Sequence, residues 1–252
     1  MFWKKSTSKS WIIDIAGQEL RIYLVRERRN NQRFSISSRG LIVRIPLMTS
    51  ILEEDRIIRD ALLWTERSLE KGKVNPVNFR KFSDGLNISF FDGPRIVKFL
   101  SSEVLKGDLA WRVCLKEEGI LKVYGKQPDQ FSEYEALSKI VRKAVQRHYR
   151  DFLEKRLRSW NNQLEMGGVN SFRLGYTTSR WGSCQHNTGK IALSTRLTLC
   201  PLWVVDAVII HELCHLVHNN HSKAFWALLN SKYPRYQEAD RWIKEHGAKC
   251  IL

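Results

Sequence analysis

Cysteine occurs here only as scattered single residues. There are five in 252 positions, and no two form a CxxC pair. That spacing suits neither a disulfide framework nor a zinc ribbon; reduced thiols in a cytoplasmic protein are the expectation. Long apolar runs are missing as well. None approaches the roughly 20 residues of a membrane-spanning helix, so no membrane partner is expected. Residues 1–17 carry Lys4, Lys5 and Lys9, but Asp14 breaks their apolar part, and they do not read as a signal peptide. No glycine-rich P-loop is present to cradle a nucleotide's phosphates. Acidic residues are the scarcer charge, 26 against 42 basic ones, which leaves a net charge of +16.

The basic excess is densest in residues 26–33 and 142–158. It suits contact with a polyanion or a phosphate-bearing substrate, and it equally suits a solvated surface that only aids solubility. Hydrophobic residues make up 43% of the chain, enough for one large domain or two small ones with real cores.

The stretch with the clearest chemistry is His211-Glu212-Leu213-Cys214-His215, followed by His221. The residues before it are almost wholly apolar, and Pro201 stands where a first-turn proline is tolerated. The pattern predicts one buried helix over residues 202–218. Two histidines four apart share a helix face, so both imidazoles can reach one ion, with Glu212 beside them as general base. Four of the seven histidines lie between positions 211 and 221. His218 and His221 compete as third ligand. On a straight helix His218 stands about 10.5 Å of rise beyond His211, too far for three side chains to converge on one ion. His221 can return to the site if Asn219-Asn220 turns the chain, since asparagine tolerates the left-handed conformation that ends helices. Ser222 would then cap a further helix. His221 is therefore the expected ligand, and His218 a substrate-contacting candidate.

Outside that stretch, residues 10–46 predict strands with turns at Gly17, Asn30-Asn31 and Gly40. Ser50 with Glu53 forms a capping box that opens a helix to about Glu70. Strands return over residues 82–124, between turns at Asp84-Gly85, Asp92-Gly93-Pro94, Gly107-Asp108 and Gly119. Ser132 with Glu135 reads as a second capping box, opening a long helix to about Leu164. Two strands then flank Ser179-Arg180-Trp181-Gly182-Ser183-Cys184. There Arg180 offers a guanidinium fork for a carboxylate or phosphate, and Trp181 can pack beneath the site. Cys184 lacks the spacing of a metal ligand. The expected fold class is α+β: a β-rich N-terminal domain with one helix, residues 1–125, then a metal-binding catalytic domain, residues 126–252.

In order along the chain, the SRWGSC stretch, GKIAL at residues 189–193, the HExxH motif, Asn220-His221-Ser222 and Phe225-Trp226 resemble the YgjP-like metallopeptidase-domain family. That family is similar to the SprT-like zincins. The resemblance is dense over residues 176–226 and looser over residues 26–46. It implies a zincin-type site, with His211, His215 and His221 as ligands of one zinc ion and Glu212 as base. It also implies a small sheet whose edge strand flanks the cleft, and residues 190–195 fit that strand. The metzincin motif has the same ligand spacing, but its glycine position is His218 here, so that group is not assigned.

The expected function is zinc-dependent hydrolysis of metallopeptidase type, in which water activated by the metal attacks a peptide carbonyl while Glu212 takes its proton. Other divalent metals also suit imidazole ligands. Members of the family include a nucleotide pyrophosphatase acting on UTP, which supplies a second expectation: the same site opening a phosphoanhydride, with Arg180 and lysines such as Lys190 holding phosphates. A third is a nucleic-acid-associated protein with a structural metal.

Overall fold

Alternation of apolar and polar residues builds the first sheet. Leu20, Ile22 and Leu24 fall on one face of strand β2 (Gln18–Glu27), and Leu41, Val43 and Ile45 on the same face of β4 (Gly40–Pro46). All six are buried, as a period of two requires when one face meets a core. With β1 (Ser8–Ile15) and β3 (Arg33–Ser37) they form a four-stranded sheet in the order β1-β2-β4-β3. The central pair is parallel and both outer pairs are antiparallel. Helix α1 (Ile51–Glu70) adds Ile57 and Ala61 to this core. Its start carries the predicted cap, the Glu53 amide donating to Ser50 Oγ at 3.3 Å. Gly40 has φ +119°, and a Cβ there would stand 2.0 Å from the Arg21 carbonyl oxygen, so only glycine fits.

The computed structural model describes residues 8–15, 18–37, 40–70, 80–101 and 110–252; the predicted turns at Gly17 and Gly107-Asp108 lie outside them. Among the described residues no helix is long and apolar enough to cross a membrane.

The chain divides into two units, Met1–Phe79 and Arg80–Leu252. This differs from the boundary expected at 125/126. The second set of strands belongs with the C-terminal unit. Strands β5 (Asn87–Phe90), β6 (Gly93–Leu100), β7 (Arg112–Cys114) and β8 (Ile120–Tyr124) form a sheet in the order β5-β6-β8-β7. Their buried residues, among them Ile88, Val97, Leu121 and Val123, share one core with helix α2 (Phe131–Leu164). Thirty-four residues of helix extend about 50 Å, long enough to serve two layers. Tyr149 of α2 stacks on Phe90 of β5, and its hydroxyl donates to Asp92 at 2.7 Å. Beyond Tyr149, α2 meets the site helix. The predicted start of α2 is also corrected: Gln130 is the N-cap, and the Glu133 carboxylate accepts from the Asp129 amide at 3.0 Å. Ser132 therefore lies inside the helix.

A three-stranded sheet carries the site. Its strands are β9 (Ser171–Gly175), β10 (Gly182–Gln185) and β11 (Lys190–Ser194), in the order β10-β11-β9. The edge strand expected at residues 190–195 is thus the central one; β10 and β9 are the edges. There Ile191 and Leu193 are buried, and the strand's backbone pairs with β10 on one side and β9 on the other. Helices α3 (Leu202–Cys214), α4 (Lys223–Lys232) and α5 (Tyr236–His246) complete the unit.

Helix α3 is fixed to α2 by a buried carboxylate. Asp206 accepts both arms of the Arg156 guanidinium, Nη2 to Oδ2 at 2.6 Å, and the Trp160 indole N–H at 2.8 Å. Asp206→Ala should lower the unfolding free energy by roughly 3 kcal/mol, since it leaves a half-buried guanidinium without its counter-charge. Urea unfolding followed by circular dichroism measures this; a loss below about 1 kcal/mol would remove the anchoring role.

Candidate metal centre

Helix α3 is buried almost all round, with Val204, Val205 and Ile209-Ile210 inside the core. Such a helix is a rigid base for side chains at its end. His211 and Glu212 occupy its last turn. It stops at Cys214, four residues before the predicted end at 218, with His215 as C-cap. Residues 215–217 form a turn tied back by the Leu216 amide to the Leu213 carbonyl (2.9 Å) and the His218 amide to the Cys214 carbonyl (2.9 Å). The chain passes through Asn219-Asn220 and re-enters as α4, where the Ser222 hydroxyl caps the Phe225 amide at 3.3 Å. The early stop lets His221 come back.

One ligand atom each of His211, His215 and His221 lies within 4.8 Å of the others. The Nε2 atoms of His211 and His221 are 3.1 Å apart. Two nitrogens bound tetrahedrally at 2.0–2.1 Å from one zinc would be separated by about 3.3 Å, so the donor set fits that ion. His215 Nδ1 lies 3.0 Å from the His218 carbonyl oxygen. A carbonyl only accepts, so Nδ1 carries the proton and Nε2 keeps its lone pair, the arrangement that orients a metal-ligating histidine. His218 therefore enters the site through its backbone. His186, which sequence reasoning did not single out, makes a matching contact: its Nδ1 donates to the His215 carbonyl at 2.9 Å.

Aromatic rings form the floor. Phe225 is fully buried and touches all three imidazoles, with centroid separations of 5.0 Å to His211, 4.5 Å to His215 and 4.8 Å to His221. Trp226 stacks on His221 at 5.4 Å and on Tyr236 at 5.6 Å. The Phe225-Trp226 pair is a cue in the sequence, but its spacing alone does not reveal the packing.

Burial sets the protonation of the centre. It holds His211 down at about 4, with the His215 and His221 charges adding to the effect. His215 is lowered as well, chiefly by burial. Neutral imidazoles are the ligand-competent form. Glu212 is pushed up to about 8 by burial, against a smaller pull from the Arg180 charge. Its carboxylate lies against Gly182, where an added Cβ would meet Oε1 at 2.5 Å. The glycine of the SRWGSC stretch thus makes room for Glu212. Burial, then the Glu212 charge, raises the Cys184 thiol to about 11, and it is no part of the histidine group.

Arg180 and Lys190 are exposed and line one groove of about 600 Å³ along β10 and β11, together with Arg173. The three histidines and Glu212 do not line it. The Arg196 guanidinium lies 4.1 Å from the Trp181 ring centre, and Gly247 packs against the indole's six-membered ring.

Three imidazoles that could hold one metal ion thus stand beside a buried carboxylate. The chain belongs to the YgjP-like metallopeptidase-domain family, whose model matches residues 30–246. No curated protein matches it. Among solved structures it is similar to the metallopeptidase zymogen of Pyrococcus abyssi abylysin, at 22% identity and a TM-score of 0.34, covering 37% of this chain and 93% of that one.

The raised Glu212 value has a consequence for the metal-free protein. Between its ordinary range near 4.5 and about 8, the folded state keeps a proton that the unfolded state has lost. Stability contributed by the protonated form is present below that window and lost as pH rises through it. His211 acts in the opposite direction, costing stability as pH falls from 6.5 towards 4. In chelator, the melting temperature of Glu212→Gln relative to wild type should therefore rise between pH 5 and pH 8. A constant difference across that range would show that Glu212 is ionised throughout.

Proposed function

We propose that this protein is a zinc-dependent hydrolase of peptidase type, with His211, His215 and His221 holding the ion and Glu212 acting as general base. One observation carries the reading: the three imidazoles meet within 4.8 Å of one another while a buried carboxylate stands on the neighbouring helix position. A bound zinc ion would supply Lewis acidity, favouring deprotonation of water and polarising a carbonyl. Glu212, with its raised proton affinity, takes a proton from the attacking water and returns it to the leaving nitrogen. Gly182 leaves room for that carboxylate. Strand β10 is the sheet edge beside Glu212, so an extended peptide can add to it through backbone hydrogen bonds. This moves the substrate-binding role from residues 190–195 to Gly182–Gln185.

The groove carrying Arg173, Arg180 and Lys190 favours a second reading, in which the same centre opens a nucleotide phosphoanhydride and these cations hold the phosphates. Both readings need Glu212. A purely structural metal does not, and a carboxylate buried at a cost beside the ligands argues against that role. Purified zinc-loaded protein tested against an unfolded protein and a panel of nucleoside triphosphates separates the first two.

The metal assignment is tested by elemental analysis. We expect about one zinc per chain, lost or sharply weakened in the alanine variants of His211, His215 and His221 and retained in His218→Ala. Full zinc in His211→Ala or His215→Ala, or loss of zinc in His218→Ala alone, would overturn the ligand set.

Glu212→Gln keeps size and hydrogen-bonding capacity but removes the proton acceptor. At matched metal occupancy it should retain zinc and lose turnover by about 10²–10⁴-fold. Near wild-type turnover in the fully loaded variant would place the chemistry elsewhere.

A further inference from the structure

Two of the five free thiols are in contact: Cys200 Sγ lies 3.9 Å from Cys250 Sγ, and both side chains are buried. We propose that these cysteines form a peroxide-reactive pair, in which Cys250 is oxidised to a sulfenic acid and Cys200 resolves it to a disulfide. Neither thiol belongs to the histidine group, and the chemistry needs no metal.

The pair meets where two short helical turns end. Cys200 closes the 3-10 helix Thr195–Leu199, its amide donating to the Leu197 carbonyl at 3.0 Å. Cys250 closes the 3-10 helix Gly247–Lys249, its amide donating to the Gly247 carbonyl at 3.2 Å. Bonded sulfurs stand about 2.05 Å apart, so closure needs a movement of about 2 Å, at the ends of elements and not inside one. Positive charge gathers around Cys250 through the backbone. Arg196 Nε donates to the Cys250 carbonyl at 2.8 Å, Arg80 Nε to the Ile251 carbonyl at 3.1 Å and Arg142 Nε to the Leu252 carbonyl at 2.7 Å. Neighbouring guanidiniums favour a thiolate over a thiol. The Cys200 S–H, donated to Cys250 Sγ, holds the Cys250 thiol below its ordinary range; burial opposes this, and the Arg196 and Arg80 charges add to it. Cys200 is pushed the other way, by the same contact and by burial. The pair is therefore asymmetric, with Cys250 as nucleophile and Cys200 keeping its proton.

Lys249 is exposed and Ile251 half-buried on either side of Cys250, so the thiol lies just beneath the surface and suits a small hydroperoxide better than a bulky disulfide. In the first step the Cys250 thiolate attacks one oxygen of hydrogen peroxide. An S–O bond forms, the O–O bond breaks, and hydroxide leaves and is protonated to water. In the second step the Cys200 sulfur attacks the sulfenic sulfur. The S–S bond forms, the S–O bond breaks, and the hydroxyl leaves as water with the Cys200 proton. The two thiols give two electrons to the peroxide, which is reduced to water. The bridge joins the residue before Pro201, the N-cap of α3, to the segment after α5. It closes a loop that contains α3, α4, α5 and all three histidines. Cross-linking so long a loop restricts the unfolded chain, so the oxidised form gains stability.

To test this, the full chain is treated with hydrogen peroxide, quenched with catalase, unfolded and alkylated, and each cysteine is read by peptide mass spectrometry. Cys200 and Cys250 should be lost first and together, as one cross-linked product about 2 Da lighter than the two peptides. Exposure alone predicts the reverse order, since Cys114 and Cys184 are the more accessible thiols. The melting temperature should rise by about 5–10 °C and return with dithiothreitol. In Cys200→Ser the reaction should stop at the sulfenic acid, trapped by dimedone on Cys250; in Cys250→Ser, Cys200 should stay reduced. Arg80→Gln, which removes one of the charges beside Cys250, should slow the loss several-fold. Where a variant does not fold, the order of loss in wild type decides. Loss of Cys114 or Cys184 ahead of the pair, dimedone on Cys200 instead of Cys250, or a bridge between other cysteines would overturn the inference.

Discussion

Three imidazoles meet at one point in this protein because a helix ends early. His211 and His215 can face one ion from a regular helix, but the third ligand cannot come from the same straight rod. The backbone must stop, turn and return between His215 and His221. The structure does this with a tightened turn after Cys214, and the constraint spreads outward. The turn leaves the His218 carbonyl pointing at His215 Nδ1. The return delivers His221 to 3.1 Å from His211 and puts Phe225 under all three rings. The reversal therefore supplies a donor atom, a tautomer lock and an apolar floor together.

The general-base candidate is positioned by different means. A carboxylate buried this deeply resists ionisation. Gly182 gives it room: the strand passes so close that a Cβ at that position would collide with the carboxylate. Arg180, two residues before that glycine, supplies a positive charge that favours the ionised form. The SRWGSC stretch thus acts on Glu212 both sterically and electrostatically, and its strand is also one edge of the sheet. A short motif that looks like a loop in the sequence is, in space, the wall of the centre.

Much of the centre was legible in the sequence, for a physical reason. Helix rise alone was enough to set His218 aside, and the turn tendency of asparagine was enough to favour His221. The strand pattern of residues 10–46 was legible because one sheet face is buried and the alternation is clean. Other features were not. The boundary at 79/80 depends on which helix covers the second sheet, and both α1 and α2 offer apolar residues at helical spacing. Only packing decides. The place of GKIAL at the centre of its sheet was hidden because a run buried on one face reads alike whether one or both edges are paired. His186 escaped for another reason: it acts through a single hydrogen bond to a backbone carbonyl, which leaves no trace in spacing.

The two larger sheets share one plan, two hairpins joined by a parallel central pair and followed by a helix. In the first unit the plan closes on itself with α1. In the second, α2 runs on past its sheet and carries Arg156 and Trp160 to Asp206, so the same arrangement becomes a support for α3. The other side of the centre is secured by Arg196. Its guanidinium is buried among carbonyl oxygens, donating to Cys250 at 2.8 Å, Thr178 at 3.2 Å and Gly247, and it lies over the Trp181 ring. Burial lowers its proton affinity, yet the carbonyl dipoles and the indole face suit a cation that is weakly hydrated to begin with. One side chain thereby ties residues 247–250 to the stretch before β10. The stretch leading into the wall beside Glu212 and the segment that follows α5 are consequently tied together by one charge.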